Sequence, residues 1–256
     1  RAKQIYNFLA KGVSSIDEMY TLSKDFREKL KERYYICKTD IYHKLESNLD
    51  GTRKYLIELG DGNLIETVLM IYKNGPSICL STQVGCRMGC KFCASTLDGL
   101  VRNLTTGEML DQVYSIQRLL GERVSNIVVM GSGEPMDNYD NIVKFVKIIS
   151  SEMGLNISQR NITVSTCGIV PKIRALADEG LSITLALSLH APNDEIRKTI
   201  MPVANKYALK DVISACDYYF KKTGRRVSYE YSLVAGVNDN IKEAMNLVKL
   251  VNGRNI

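Results

Sequence analysis

Three cysteines stand close together in the segment Gly85-Cys86-Arg87-Met88-Gly89-Cys90-Lys91-Phe92-Cys93, spaced Cys-x3-Cys-x2-Cys. On a loop, such spacing lets thiolates gather around one small inorganic centre. The flanking Arg87 and Lys91 are expected to favour the thiolate form. Zinc is the ordinary reading of Cys-x2-Cys, which is half of many zinc sites. A zinc ribbon needs a second Cys-x2-Cys or a histidine pair, and the sequence holds neither. A 4Fe-4S cube held by three cysteines would keep one iron open, the mark of a catalytic rather than a closed structural site.

Three further polar signals follow: Gly131-Ser132-Gly133-Glu134-Pro135, Ser165-Thr166-Cys167-Gly168 and Ser188-Leu189-His190. Singly, each has a plainer reading. Gly-x-Gly is usually a tight turn, and a lone histidine at a strand end is usually a satisfied core residue. Their weight comes from the elements that carry them. The pattern predicts strands over Ser77–Thr82, Asn126–Gly131, Asn161–Thr166, Ser182–Leu189 and Val227–Leu233. Helices are predicted over Gly107–Leu120, Asn141–Ser150, Pro171–Asp178, Leu209–Lys222 and Ile241–Val251. Five βα units in succession argue for a parallel sheet, either a barrel or a doubly wound sheet. The cysteine loop and the three signals then fall at the C-terminal ends of consecutive strands, where parallel barrels keep their active sites.

Upstream, residues 1–34 read as helices. Ile5, Phe8 and Leu9 share one helical face, and a second helix starts near Ser23 with Phe26 and Leu30. Its alternating Lys24, Asp25, Arg27, Glu28, Lys29, Lys31, Glu32 and Arg33 read as a solvated face. Residues 35–72 change rhythm. Ile41, His43 and Leu45, then Tyr55, Ile57 and Leu59, alternate as strands, and a third strand spans Leu64–Tyr72. Asp50-Gly51 and Asp61-Gly62 supply the turns of a small antiparallel sheet. Residues 1–72 are therefore expected to form an accessory region and residues 73–256 a barrel.

The 256 residues are 45% hydrophobic and 24% charged, which excludes a disordered or collagen-like chain. The longest stretch free of charge, Gly180 to Asn193, is too short and too polar to span a bilayer. A cytoplasmic protein with no membrane partner is expected. The net charge of +6 is compatible with nucleic acid without requiring it. The odd cysteine count of seven argues against a disulfide scaffold.

The flanking text narrows the chemistry. The segments STQVGCRMGCKFCAS, RNLTTGEMLDQV, GSGEPMDNYDN, STCGIVPKI and ALSLHAPNDEIRKTIMPVANKY, in that order, resemble the RlmN/Cfr family of RNA adenine methyltransferases. That family belongs to the radical S-adenosylmethionine (SAM) superfamily. The resemblance implies an α/β fold, a partial (β/α)6 TIM-like barrel behind an N-terminal accessory region. It implies a 4Fe-4S cluster on Cys86, Cys90 and Cys93, with SAM chelating the open iron. Gly133, Glu134, Ser165, Ser188, Leu189 and His190 match the family's SAM contacts. Glu66 matches the proton acceptor, where the residue alone reads as an ordinary strand carboxylate. Cys79 matches the cysteine that resolves the enzyme–RNA adduct, where the residue alone reads as a small buried hydrophobe. Met130 matches a methionine near the family's active site but reads by itself as core. Cys37, Cys167 and Cys216 receive no role, and Cys216 is expected to be packed in a helix. Ser132 stands where the family often has methionine.

The implied route is radical. One SAM methylates a C-terminal cysteine, and reductive cleavage of a second yields a 5′-deoxyadenosyl radical that takes hydrogen from that methyl group. The carbon radical adds to adenine carbon-2, a base removes the ring proton, and Cys79 releases the product by forming a disulfide. Implied partners are 23S rRNA, tRNA and an electron donor such as flavodoxin or ferredoxin. The target base must be unstacked to be reached. The methyl-carrying cysteine, the sixth barrel strand and a further SAM-contacting asparagine are expected beyond Ile256. A chain ending there is expected to assemble the cluster but not to methylate RNA. Glu-Pro-Met-Asp-Asn favours the carbon-2 class over the carbon-8 class that confers antibiotic resistance. A radical SAM enzyme acting on a peptide or small molecule, and a zinc-stabilised RNA-binding module, are the other readings.

Overall fold

The computed structural model describes residues 1–254. Two helices, α1 (Ala2–Ala10) and α2 (Lys24–Lys31), open the chain. Four strands follow: β1 (Asp40–Glu46), β2 (Arg53–Glu58), β3 (Leu64–Tyr72) and β4 (Gly75–Cys79). A short antiparallel pair, β5 (Gln83–Gly85) and β6 (Leu100–Asn103), brackets the cysteine loop. Then come α3 (Thr106–Leu120), β7 (Asn126–Val129), α4 (Tyr139–Ile149), β8 (Ile162–Thr166) and α5 (Val170–Asp178). The rest is β9 (Thr184–Ser188), α6 (Asp194–Ile200), α7 (Leu209–Thr223), β10 (Val227–Glu230) and α8 (Ile241–Val251).

Strands β4, β7, β8, β9 and β10 run parallel in that order, and each is followed in the chain by one or more helices. The alternation left a barrel and a doubly wound sheet open, and this order is that of the partial barrel the family resemblance implies. The antiparallel strands are not a separate sheet, however. β3 pairs with β4, with Val68 opposite Cys79, so one eight-stranded sheet runs from β1 to β10. The ladder crosses the boundary expected at residue 72.

Strand geometry divides this sheet into two faces, because side chains alternate along each strand and cross-strand partners share a face. On the outer face Ile57, Leu69, Ile78, Ile127, Ile162, Val164, Leu185 and Leu187 are fully buried. Each such side chain contributes roughly 1.5–3 kcal/mol. Helix α3 meets this core through Met109, Val113 and Ile116, all fully buried. A capping box of Thr105 and Glu108 starts the helix, and left-handed Gly121 ends it.

β1 departs from its expected alternation. A register shift between Ile41 and His43 breaks the phase, so Ile41 leans on the core while His43 and Leu45 stay exposed. α2 buries none of its residues, as a solvated helix should. All seven cysteines are free, and Cys216 is fully buried on α7. No helix among the described residues is long and apolar enough to cross a membrane.

Candidate active site

The register places the candidate residues on the inner face. Val68 on β3 pairs with Cys79 on β4, and Cys79 with Val128 on β7. Val128 pairs with Thr163, two residues before Ser165, and Ser165 pairs with Ala186, two before Ser188. Ser188 pairs with Glu230 on β10. Glu66, two residues before Val68, therefore shares one face with Cys79, Ser165, Ser188 and Glu230.

At the C-terminal ends of the parallel strands this face borders a cleft of about 160 Å³. Its walls include Cys86, Cys90, Cys93, Gly133, Glu134, Ser165 and Ser188, all expected site residues. Met130, Cys167 and Glu230 line it as well. Met130 is 37% exposed, so the core reading of that residue is corrected: it sits past the end of β7, where the sheet opens. Glu66, Cys79, Leu189 and His190 are not in the cleft wall.

The cysteine loop is clamped from several sides. Gly85, at φ +72°, turns tightly into it; a Cβ there would fall 2.0 Å from the Gly99 carbonyl oxygen. Cys86 N–H donates to that oxygen at 2.8 Å, and Lys91 N–H donates to Ile200 O at 2.9 Å. Phe92 meets the ring of His190 edge-on at 4.7 Å.

His190 holds a left-handed φ of +53°. Its Nδ1 accepts from Ser232 N–H at 3.0 Å, which requires that nitrogen unprotonated. Burial, with the Arg197 charge adding, lowers the imidazole to about 4. His190 thus buttresses the loop as a neutral ring, and Leu189 is core.

Arg87 does not serve the thiols as expected; it forms an ion pair with Asp137. Burial dominates instead, raising the Cys86 thiol and pushing Cys90 up to about 12. Such thiols keep their protons unless a metal displaces them.

Among the described residues no three Cys, His, Asp or Glu side chains converge closely enough to hold a single metal ion. Zinc needs every sulfur about 2.3 Å from one point. A 4Fe-4S cluster puts each cysteine on a different iron, so three thiols spread around one cleft fit it.

The Gly131–Pro135 turn is braced by buried Gln83. The Gln83 side-chain oxygen accepts from Glu134 N–H at 2.8 Å, and its amide donates to Asp137 at 3.0 Å. A Cβ on Gly133, at φ +103°, would lie 2.6 Å from the Gln83 Cβ. The Glu134 carboxylate faces two backbone amides, Met136 N–H at 3.0 Å and Cys167 N–H at 2.8 Å. Burial raises its pKa. Glu134 therefore ties the ends of β7 and β8 together. Glu134→Gln can satisfy only one amide with its oxygen; its NH2 confronts the other donor. The orphaned amide costs roughly 1–3 kcal/mol. A melting point lower by about 2–12 °C is expected in calorimetry; an unchanged one would remove Glu134 from this structural role.

Sequence reasoning missed Arg197 and Glu230. Arg197, on α6, is fully buried beneath the cleft. It donates to Leu189 O at 3.1 Å, Cys167 O at 2.6 Å and Ser188 O at 3.1 Å. Its Nη1 has no partner among the described residues. The run Asp194-Glu195-Ile196-Arg197-Lys198 gives no sign that its arginine points inward.

A five-stranded parallel half-barrel with three cysteines at its mouth defines the radical SAM class, and the Radical SAM superfamily model matches residues 80–248. A relative from Lachnoclostridium phytofermentans, named "Probable dual-specificity RNA methyltransferase RlmN", is 67% identical over all of this chain and 72% of its own length. A Clostridium perfringens protein of the same name is 59% identical over 99% of this chain and 73% of its own length. The crystal structure of a radical SAM methyltransferase from Sphaerobacter thermophilus superposes with a TM-score of 0.94 at 42% identity, covering 100% of this chain and 76% of that one. The chain belongs to the RlmN family of radical SAM RNA methyltransferases. Its cofactors are a 4Fe-4S cluster and SAM.

Proposed function

We propose that this protein methylates adenine carbon-2 in 23S rRNA and in tRNA. The observation that carries the reading is the single inner face shared by Glu66, Cys79, Ser165 and Ser188, beside a cleft walled by three cysteines. The dual-specificity name of the relatives agrees with two RNA substrates.

Cys86, Cys90 and Cys93 would hold the cluster. Gly133, Glu134, Ser165 and Ser188 would surround SAM, with Leu189 in the core behind them and His190 supporting the cysteine loop through Phe92. When bound, these cofactors supply the carbon radical chemistry that no side chain can provide. The protein's own residues position and finish the reaction. Glu66, exposed and ion-paired with Lys54, would accept the proton lost from carbon-2. Cys79, whose thiol is raised by burial and by Glu230, would stay protonated until its turn. Once the adduct has given up its unpaired electron to the cofactor, the Cys79 sulfur would lose its proton and bond to the methyl-carrying cysteine sulfur. The broken carbon–sulfur bond would leave its electron pair on the carbon attached to adenine, which takes up a proton to become the methyl group. A flavodoxin or ferredoxin would supply the electron, and the cytoplasm is the compartment where RNA and these donors meet.

The test uses the full-length, anaerobically reconstituted protein with methyl-labelled SAM, a reductant and unmodified 23S rRNA fragment or tRNA. Labelled 2-methyladenosine is expected after digestion to nucleosides. Labelled 8-methyladenosine in its place would overturn the carbon-2 reading, and label in neither nucleoside would overturn the RNA reading altogether.

A further inference from the structure

Glu230 ends β10 on the inner face, half-buried in the cleft wall. Three parallel strands bring one hydroxyl or carboxylate each to the same point. The Glu230 Oε2 accepts from Ser165 Oγ at 3.3 Å and from Ser188 Oγ at 3.5 Å, and the two hydroxyl oxygens lie 3.4 Å apart. The Glu230 backbone is equally fixed: its carbonyl accepts from Leu189 N–H at 3.0 Å and His190 N–H at 3.1 Å.

An ionised carboxylate can only accept. A serine hydroxyl has one proton to give and two lone pairs to offer. Committing both serine protons to one carboxylate leaves both serine oxygens as acceptors toward the cleft. The geometry points to Glu230 as a positioning residue that fixes Ser165 and Ser188 as paired acceptors for the hydrogen-bond donors of SAM. This rests on the reading of the two serines as cofactor contacts. Glu230 acts through them, not by touching the cofactor. SAM carries the matching donors in its ribose hydroxyls and the N–H bonds of its amino group. In Glu230→Gln the side-chain amide can donate to a serine oxygen, filling a lone pair and turning a hydroxyl the wrong way.

The experiment is a double-mutant cycle read by SAM affinity. Titration calorimetry is run anaerobically on cluster-loaded protein, with iron content and melting point recorded for every variant. E230Q should weaken SAM binding about tenfold in the native background, the scale of two lost neutral hydrogen bonds. In an S165A/S188A background the same change should cost less than about twofold. E230D, which keeps the charge but retracts the carboxylate, is read in the same two backgrounds and should follow the same pattern, so poor cluster loading in one variant leaves the other to decide. Equal losses in both backgrounds would mean direct contact or a general folding role and would overturn the inference. So would no loss in the native background. If S165A/S188A alone leaves SAM affinity unchanged, the reading of the serines fails; if it weakens binding and Glu230 is additive, only the inference about Glu230 fails.

Discussion

Cys86→Ala, Cys90→Ala and Cys93→Ala are each expected to abolish stoichiometric iron loading. The native protein should take up about four irons per chain on anaerobic reconstitution, with the brown colour of a cluster. Each of the three thiols lines the same cleft, and the further cysteine in its wall is Cys167. Cys37→Ala and Cys216→Ala should load normally. Cys37 lies in an apolar hollow against α1 and α3, and Cys216 is sealed in α7. Cys167→Ala is the sharper control, because Cys167 shares the cleft yet is packed against Cys90, Ile200 and Met201. It should retain iron. Stoichiometric zinc in colourless, freshly purified protein would refute the cluster assignment.

Arg197→Met is expected to lower the melting temperature by about 6–20 °C. The guanidinium supplies hydrogen bonds to the carbonyls of Cys167, Ser188 and Leu189, at the ends of β8 and β9. Methionine leaves all three carbonyls buried without those donors, at about 1–3 kcal/mol each. Part is recovered because a buried charge is no longer held away from water. A net loss of about 3–5 kcal/mol remains, and each kcal/mol moves a chain of this size by about 2–4 °C. Arg197→Lys should rescue only a fraction, since one ammonium cannot reproduce a planar fork across three acceptors. Calorimetry on the iron-free protein isolates this effect from cluster stability. A shift below about 2 °C for Arg197→Met would show that the carbonyls find other donors.

The contrast between these two sites explains what the sequence made legible. The cysteine spacing is short and local, so Cys86, Cys90 and Cys93 could be read directly. The five parallel strands were legible because apolar runs such as Asn126–Val129 and Thr184–Ser188 are bounded by glycine, proline and polar turns. Their alternation with helices made a parallel sheet legible, while barrel order over doubly wound order came from the family resemblance. β5 and β6 were not legible, because three or four residues carry no measurable period. α6 was hidden for the same reason, in seven residues that include four charges. The β1 alternation misled because a bulge shifts phase without leaving a mark in residue types. Arg197 and Glu230 are ordinary charged residues until the sheet closes around them. His190 was placed at the site by resemblance, but its support of Phe92 depends on a left-handed backbone that no residue pattern announces.

The two-faced sheet has one more consequence. A slip of one residue along any strand exchanges its faces. In β3 the slip would drive Glu66 and Val68 toward the helices and lift Ile65, Thr67 and Leu69 into the open cleft side. The loss of buried Leu69 and Ile65 would be felt as instability before any substrate arrived. Hydrophobic burial on one side therefore proofreads chemistry on the other. A chain that reaches its stable state has, by that act, aimed Glu66, Cys79, Ser165, Ser188 and Glu230 in a common direction, and no separate selection is needed to keep them aligned.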